Sequence, residues 1–391
     1  MPGGWFADRF GGKWLYGGGI LLSSVVSLLT PAAARIHIGL VIALRVLSGL
    51  GEGFMMPANQ ALIARWTAPQ FHSVVVGAIF VGNDVGTIVG AILAGILCDY
   101  GFAGGWPSVF YVFGMVGCVW FVCWCFLCYN SPYTHPRIST AEREYWDRTI
   151  GTADLARHAP TPWRKILTSV PVWALAVAFF GTCFFYFTMV TCLPLYMHDV
   201  QGLNMTANGM LSAIPFLSSA FMIPFAGLIV DWLRAPGRLS TNIVRKSSCI
   251  VGVTLACLLL ILLGYTGCNR ALAVTVVFLA TGTQGIAFNS VITNQLDLAP
   301  LHAGMIMGLT NAVANLGAVG APLAVGALTS QQSAPLEWQH VFFLTAGVYT
   351  FGALVFVIFG SGNRQSWADI DLHSLTTVND VASKDGILSS E

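Results

Sequence analysis

Charge is scarce in this sequence. Of 391 residues, 9% are Asp, Glu, Lys or Arg, against 55% hydrophobic. A soluble domain carries about a quarter charged residues, so a water-facing surface cannot be built from this composition. The basic residues form no run suited to nucleic acid, and a net charge of +1 supplies no field to attract it. Ten cysteines are present, several in one apolar stretch (Cys118, Cys123, Cys125 and Cys128), and none has metal-ligand spacing. They read as small buried hydrophobes. A phosphate-binding loop, a nucleophile elbow and a zinc motif are all missing, so neither an enzyme nor a bound cofactor or metal is expected. No cleavable signal peptide is expected either, since the glycine-rich run after Arg9 and Lys13 has no convincing cleavage site.

What the chain does have is long apolar runs, with a mean hydropathy of +0.72. A membrane-crossing helix needs about 20 mostly apolar residues. Ten such stretches are expected at 14–30, 36–60, 73–97, 107–128, 170–196, 207–233, 247–265, 271–294, 304–329 and 340–360. The chain reads as an all-α membrane protein. Four helices lie in a bundle over 1–128 and six in a second bundle over 170–362, joined by a polar linker at 129–169. That linker is rich in proline and charge, with a short surface helix near 139–150. The polar tail, 363–391, is expected to be disordered. Fifteen of the eighteen Lys and Arg residues fall on one side of this arrangement. By the positive-inside rule both termini face the cytosol. The sequon at Asn204 then lies on the opposite side and is a candidate for glycosylation.

A partial internal repeat joins the two bundles. Gly4 is followed by Asp8 and Arg9, then Lys13; Gly227 is followed by Asp231 and Arg234, with Arg245 and Lys246 beyond. Repeats of this kind mark secondary transporters, whose halves rock about a central site. Asp8, Arg9, Lys13, Asp231 and Arg234 are accordingly candidates for gating. Asp8 in particular is suited to accept hydrogen bonds at the start of a helix near Gly304, where a carboxylate is stabilised.

Charges inside the membrane are costly and therefore point to function. Arg45, Ser48 and Glu52 share one face of the second expected span. Arg45 stays charged and suits an anionic substrate or a carboxylate; Ser48 sits beside it; Glu52 can carry a proton. Asp84, among Gly82, Gly86 and Gly90, is a candidate for coupling or for a hydrogen-bonded gate.

These residues resemble the Major Facilitator Superfamily. Its signature loops are similar to the two charged repeats, and Arg45-Val46-Leu47-Ser48-Gly49 is similar to its fourth-helix motif. Gly51-Glu52-Gly53 through Pro57-Ala58, Trp66-Thr67-Ala68-Pro69, Ser131-Pro132, Leu296-Asp297-Leu298-Ala299-Pro300 and Glu337-Trp338-Gln339 resemble the anion/cation symporters of solute-carrier family 17. The likeness runs from about residue 3 to 370. It implies a twelve-helix fold of which this chain carries the equivalents of helices 3–12. A truncated gene product is the expectation, with transport by the chain as written in doubt. Gly181 stands where the vesicular glutamate transporters carry an arginine, which disfavours glutamate. The sialin-like branch fits better, although Ser48 replaces a glutamate there and Asp84 a neutral residue.

The resemblance implies a symporter of small organic anions, such as acidic sugars, driven by protons or by sodium. A lysosomal or vesicular membrane fits the first, and the plasma membrane fits a sodium-dependent phosphate carrier. A shortened, non-transporting partner of a full-length transporter is the third reading. Beyond its substrate and membrane lipid, the sequence implies no partner and leaves the oligomeric state open.

Overall fold

A computed structural model describes residues 2–149, 161–200, 213–235, 238–267, 269–329 and 335–368. Asn204, the end of the charged linker and the residues beyond 368 lie outside them. The helices are α1 (Pro2–Phe10), α2 (Gly12–Ile36), α3 (Ile38–Glu52), α4 (Met55–Trp66), α5 (His72–Tyr100), α6 (Trp106–Leu127), α7 (Thr140–Thr149) and α8 (Trp163–Leu167), followed by α9 (Val170–Phe187), α10 (Leu193–Asp199), α11 (Ile214–Leu233), α12 (Thr241–Leu263), α13 (Arg270–Leu298), α14 (Ala303–Leu328) and α15 (Pro335–Phe359). Among the described residues, ten helical spans are long and apolar enough to cross a membrane. Four precede the charged linker and six follow it.

Two spans are interrupted along their length. The stretch expected at 36–60 divides at Gly53 and Phe54 into α3 and α4. Pro57 lies in the first turn of α4, where a missing N–H breaks no intrahelical bond. The span containing α9 and α10 is interrupted by a π-helical turn, Thr188–Cys192. There Thr188 and Thr191 return their hydroxyls to the carbonyls of Phe184 and Phe187, at 2.8 and 2.6 Å. Carbonyls loosened by a π turn need such partners in an apolar medium.

Elsewhere the helix starts follow from their caps. His37 accepts the Gly39 N–H at α3, Ser240 accepts Ile243 N–H at α12, and Asn269 accepts Leu272 N–H at α13. Gly11, at φ 95°, turns the chain between α1 and α2 in a conformation that favours glycine.

The main core lies in the second half, where Trp338, Phe342 and Phe356 of α15, Phe185 of α9 and Leu260 of α12 are almost fully buried. The halves meet along two seams. In one, α5 crosses α11 at contact distance through Gly77 and Gly227. A Cβ on Gly77 would come within 2.9 Å of Pro224 Cα, and one on Gly227 within 2.6 Å of the Ser73 carbonyl oxygen. In the other, α1 and α4 pack against α14. Small residues at such crossings let helix backbones approach closely.

Candidate functional site

At the end of the bundle where Arg65, Arg234 and Arg245 gather, here the basic end, the two sequence repeats do the same work. Asp8 accepts hydrogen bonds from the backbone N–H groups of Gly304 (3.1 Å) and Met305 (2.8 Å), in the first turn of α14. Asp231 accepts one from Val74 N–H (2.8 Å), in the first turn of α5. Each carboxylate therefore seats on the exposed N–H groups of a helix in the opposite half, where the helix dipole favours negative charge. The glycine four residues before each aspartate permits the approach. A Cβ on Gly4 would run into the Gly304 carbonyl, as one on Gly227 would into Ser73.

The second clamp is more highly charged than the first. Asp297 receives Arg245 Nε at 2.7 Å and Arg234 Nη2 at 3.0 Å, while Arg245 also donates to Ser73 Oγ at 2.9 Å. Arg234 lies 3.7 Å from Asp231. Arg245 is fully buried, so its partners are what make the charge tolerable. In the first clamp Arg65 donates to the Asp8 carbonyl oxygen. Burial pushes the Asp8 carboxyl up to about 7, against the opposing effects of Met305 N–H, Arg65 and Gly304 N–H.

Arg9 and Lys13 stay within their own half. Arg9 lies over the rings of Trp5 and Phe10, at 5.3 and 6.0 Å. The Lys13 ammonium donates to the Cys125 carbonyl oxygen at 2.8 Å, tying α2 to the end of α6.

The polar seam on α3 is organised differently from the expected one. Glu52 Oε1 accepts hydrogen bonds from Ser48 (2.8 Å) and from Ser23 of α2 (3.1 Å), and the two hydroxyls lie 3.1 Å apart. Ser48 is buried. Arg45 turns to the neighbouring helix, with its guanidinium carbon 5.4 Å from the Phe110 ring centre, and makes no ion pair with Glu52. A shared helix face brings two Cα atoms into line, but the side chains take partners from α2 and α6.

Between the halves lies a cavity of about 310 Å³, lined by Asn83 and Asp84 from the first half and by Thr182, Ser219, Gln284 and Asn311 from the second. Ile292 also lines it, and its carbonyl oxygen accepts a 3.3 Å hydrogen bond from Gln60 of α4. The cavity thus bottoms on inter-half contacts at the basic end. Asp84 is buried. Arg45, Ser48 and Glu52 are not among the lining residues. Nor is Gly181, whose missing side chain admits the backbone of Val348 and Tyr349 of α15.

Sequence reasoning did not mark Ser23, Gln284, Asp297 or Arg245 as site residues. Asp297 could have been singled out by the argument applied to Asp84, as the lone acid in the long apolar helix α13. Gln284 and Ser23 carry no charge, and nothing local marks them.

The sequence profile of the Major Facilitator Superfamily matches residues 1–322. Human vesicular glutamate transporter 2 is 39% identical over 373 residues, covering 94% of this chain and 63% of that protein. A putative inorganic phosphate cotransporter of Drosophila ananassae is 38% identical (94% of this chain, 77% of that one), and human sialin 37% (95% and 74%). The chain therefore spans less than two thirds of the glutamate transporter and about three quarters of the other two. Among solved structures, the proton:xylose symporter XylE superposes with a TM-score of 0.70 at 12% identity, over 92% of this chain and 83% of that one. The human organic anion transporter MFSD10 superposes with 0.66 at 16% identity, over 90% and 79%. These two likenesses establish the fold. With the sequence profile, the relatives and the helical architecture in agreement, the chain belongs to the Major Facilitator Superfamily and, within it, to solute-carrier family 17.

Proposed function

We propose that this protein carries small organic anions of the acidic-sugar type across a membrane, coupled to protons, by alternating access. The observation that carries the reading is a cavity between two halves held shut at one end by reciprocal carboxylate clamps. Contacts made of a few hydrogen bonds, at seams of small residues, can be broken and remade as the halves rock. Asp8, Asp231 and Arg234 are the gate, with Arg9 and Lys13 fixing the first loop to its own half. The basic end faces the cytosol, as do both termini.

In this reading Arg45, which pairs with no carboxylate among the described residues, holds the acid group of the substrate, with Ser48 ordering the same helix face. Glu52 carries the coupling proton. Its two serine partners carry hydroxyls that can donate to a carboxylate or turn to accept from a protonated acid. Asp84 assists coupling from the cavity. An acidic lysosomal or vesicular lumen supplies the driving force.

The test is uptake of labelled sialic acid into cells displaying the protein at the surface, with glutamate and phosphate as competitors. Uptake that rises as the outside is acidified and disappears with Glu52→Gln is the expected result. Identity of 38% to a putative inorganic phosphate cotransporter favours a second reading, sodium-driven phosphate entry at the plasma membrane. Phosphate uptake that needs sodium, without sialic acid uptake, would replace the first reading with the second.

A further inference from the structure

The cavity's own chemistry points to what part of a substrate it receives, an inference that rests on the carrier reading above. Three polar side chains around it are already engaged. Thr182 donates to the Ala178 carbonyl oxygen, Ser219 to that of Pro215, and Asn315 to that of Asn311. Among the described residues that line it, two buried atoms are left without a partner, Asp84 Oδ2 and Gln284 Nε2. Both residues are only 3% exposed and both line the cavity, one from each half. The first is an acceptor and the second a donor. Leaving both unmatched in an apolar interior is costly, so a ligand group that gives a hydrogen and accepts one is strongly favoured there.

The walls supply the rest. Phe80 and Phe288 meet edge to face with centres 4.7 Å apart, and Phe179 lies 6.4 Å from Phe288. These three rings from both halves give the cavity flat apolar surfaces. Among the described residues that line it there is no Lys, Arg or His. A compact dianion such as phosphate, or a dicarboxylate, would meet the Asp84 carboxylate with no cation beside it. Hydroxyls of one ligand can donate to Asp84 Oδ2 and accept from Gln284 Nε2, and a ring bearing hydroxyls on its rim and C–H groups on its face fits the aromatic walls.

We infer that this cavity is a subsite for the polyhydroxylated ring of the substrate, in which Asp84 from one half and Gln284 from the other recognise ring hydroxyls while the substrate's acid group lies outside it. Because the two residues belong to opposite halves, a ring that engages both also draws the halves together.

The experiment is equilibrium binding of tritiated N-acetylneuraminate to the purified full chain at neutral pH, with no ion gradient. Unlabelled glucuronate and neutral N-acetylmannosamine should displace it, whereas glutamate and inorganic phosphate should not. Asp84→Asn and Gln284→Leu should each weaken binding about tenfold or more, as expected where a site built to pair a hydroxyl loses a partner. Gln284→Glu, which restores only an acceptor, should weaken it as well. Thermal unfolding of each variant identifies misfolded protein, and the conservative Asp84→Asn supplies the decisive comparison. Glutamate or phosphate displacing as well as the sugars, no binding of the sugar probe, or wild-type binding by both Asp84→Asn and Gln284→Leu would overturn the subsite. Failure of proton-driven uptake with sugar binding intact would instead overturn the coupling scheme alone.

Discussion

Asp8 and Asp231, 223 positions apart in sequence, hold equivalent places in the molecule. Asp8 takes the backbone hydrogens of Gly304 and Met305, and Asp231 takes that of Val74. The glycines preceding them abut corresponding backbone: Gly4 against Gly304 and Met305, Gly227 against Ser73 and Val74. Each half thus grips the other by the start of one helix, and the grip is built from a glycine and a carboxylate one helical turn apart.

Loss of either grip should loosen the basic end. Asp8→Ala and Asp231→Ala remove carboxyl acceptors from helix N–H groups, an interaction worth about 0.5–1.5 kcal/mol to a neutral acid and about 1.5–3 kcal/mol to a charged one. Cysteine-alkylation or spin-label distance measurements between α1 and α14, and between α5 and α11, should show a larger open population in both variants. An unchanged distribution in both would count against the gating role.

The first clamp should respond to pH in a defined direction. Burial lifts the Asp8 carboxyl from its ordinary 3.8 to about 7 when the clamp is closed. Once solvated in an open form, it returns toward the lower value. Between about pH 4 and 7 the closed form therefore holds a proton that the open form lacks. Acidification favours closure, and the contribution is lost as pH rises through about 7. Distances across the clamp measured from pH 5 to 8 should lengthen with pH, and Asp8→Asn should flatten that dependence.

Breaking the buried pair in the second clamp should be more damaging than deleting it. Asp297→Asn leaves Arg245 buried with its charge uncompensated, at a cost of about 3–5 kcal/mol. The double change Asp297→Asn with Arg245→Met should recover part of that loss. Thermal unfolding of the detergent-solubilised protein provides the comparison, and additive losses in the double variant would contradict the pairing.

At the α5–α11 crossing, Gly227→Ala forces a methyl group into the Ser73 carbonyl. Overpacking of this kind costs about 1–3 kcal/mol. Gly86, on the same helix as Ser73 but with open space around it, should accept alanine with little change in unfolding temperature.

The ten spans were legible in the sequence because apolar length alone determines them, and the repeat of Gly4–Asp8 in Gly227–Asp231 pointed to a shared role. The partners of Arg45 and Glu52 were not legible. Helical periodicity predicts which Cα atoms share a face, but Ser23 and Phe110 reach these side chains from α2 and α6, through packing that the local pattern does not encode. The break at Gly53 was hidden for the opposite reason, since Phe54 and Met55 continue the apolar run through it. Gln284 escaped notice because an amide in an apolar helix is neutral, and only its position on a cavity wall gives it chemistry.

The π turn at Thr188–Cys192 has a consequence for how this span tolerates change. A π turn accommodates one surplus residue without turning the helix beyond it. On one side Phe185 packs on Tyr349, 5.1 Å between ring centres; on the other Tyr196 packs between Trp338 and Phe342 at 5.3 and 5.2 Å. Removing one residue within the turn would restore an ordinary α-helix and leave both aromatic anchors aimed as they are. The same deletion in the α-helical stretch on either side of the turn would swing one anchor by about 100° relative to the other. A span that cannot otherwise lose a residue thus carries one it can spare, and a deletion scan along 179–196 would find it as a single tolerant island.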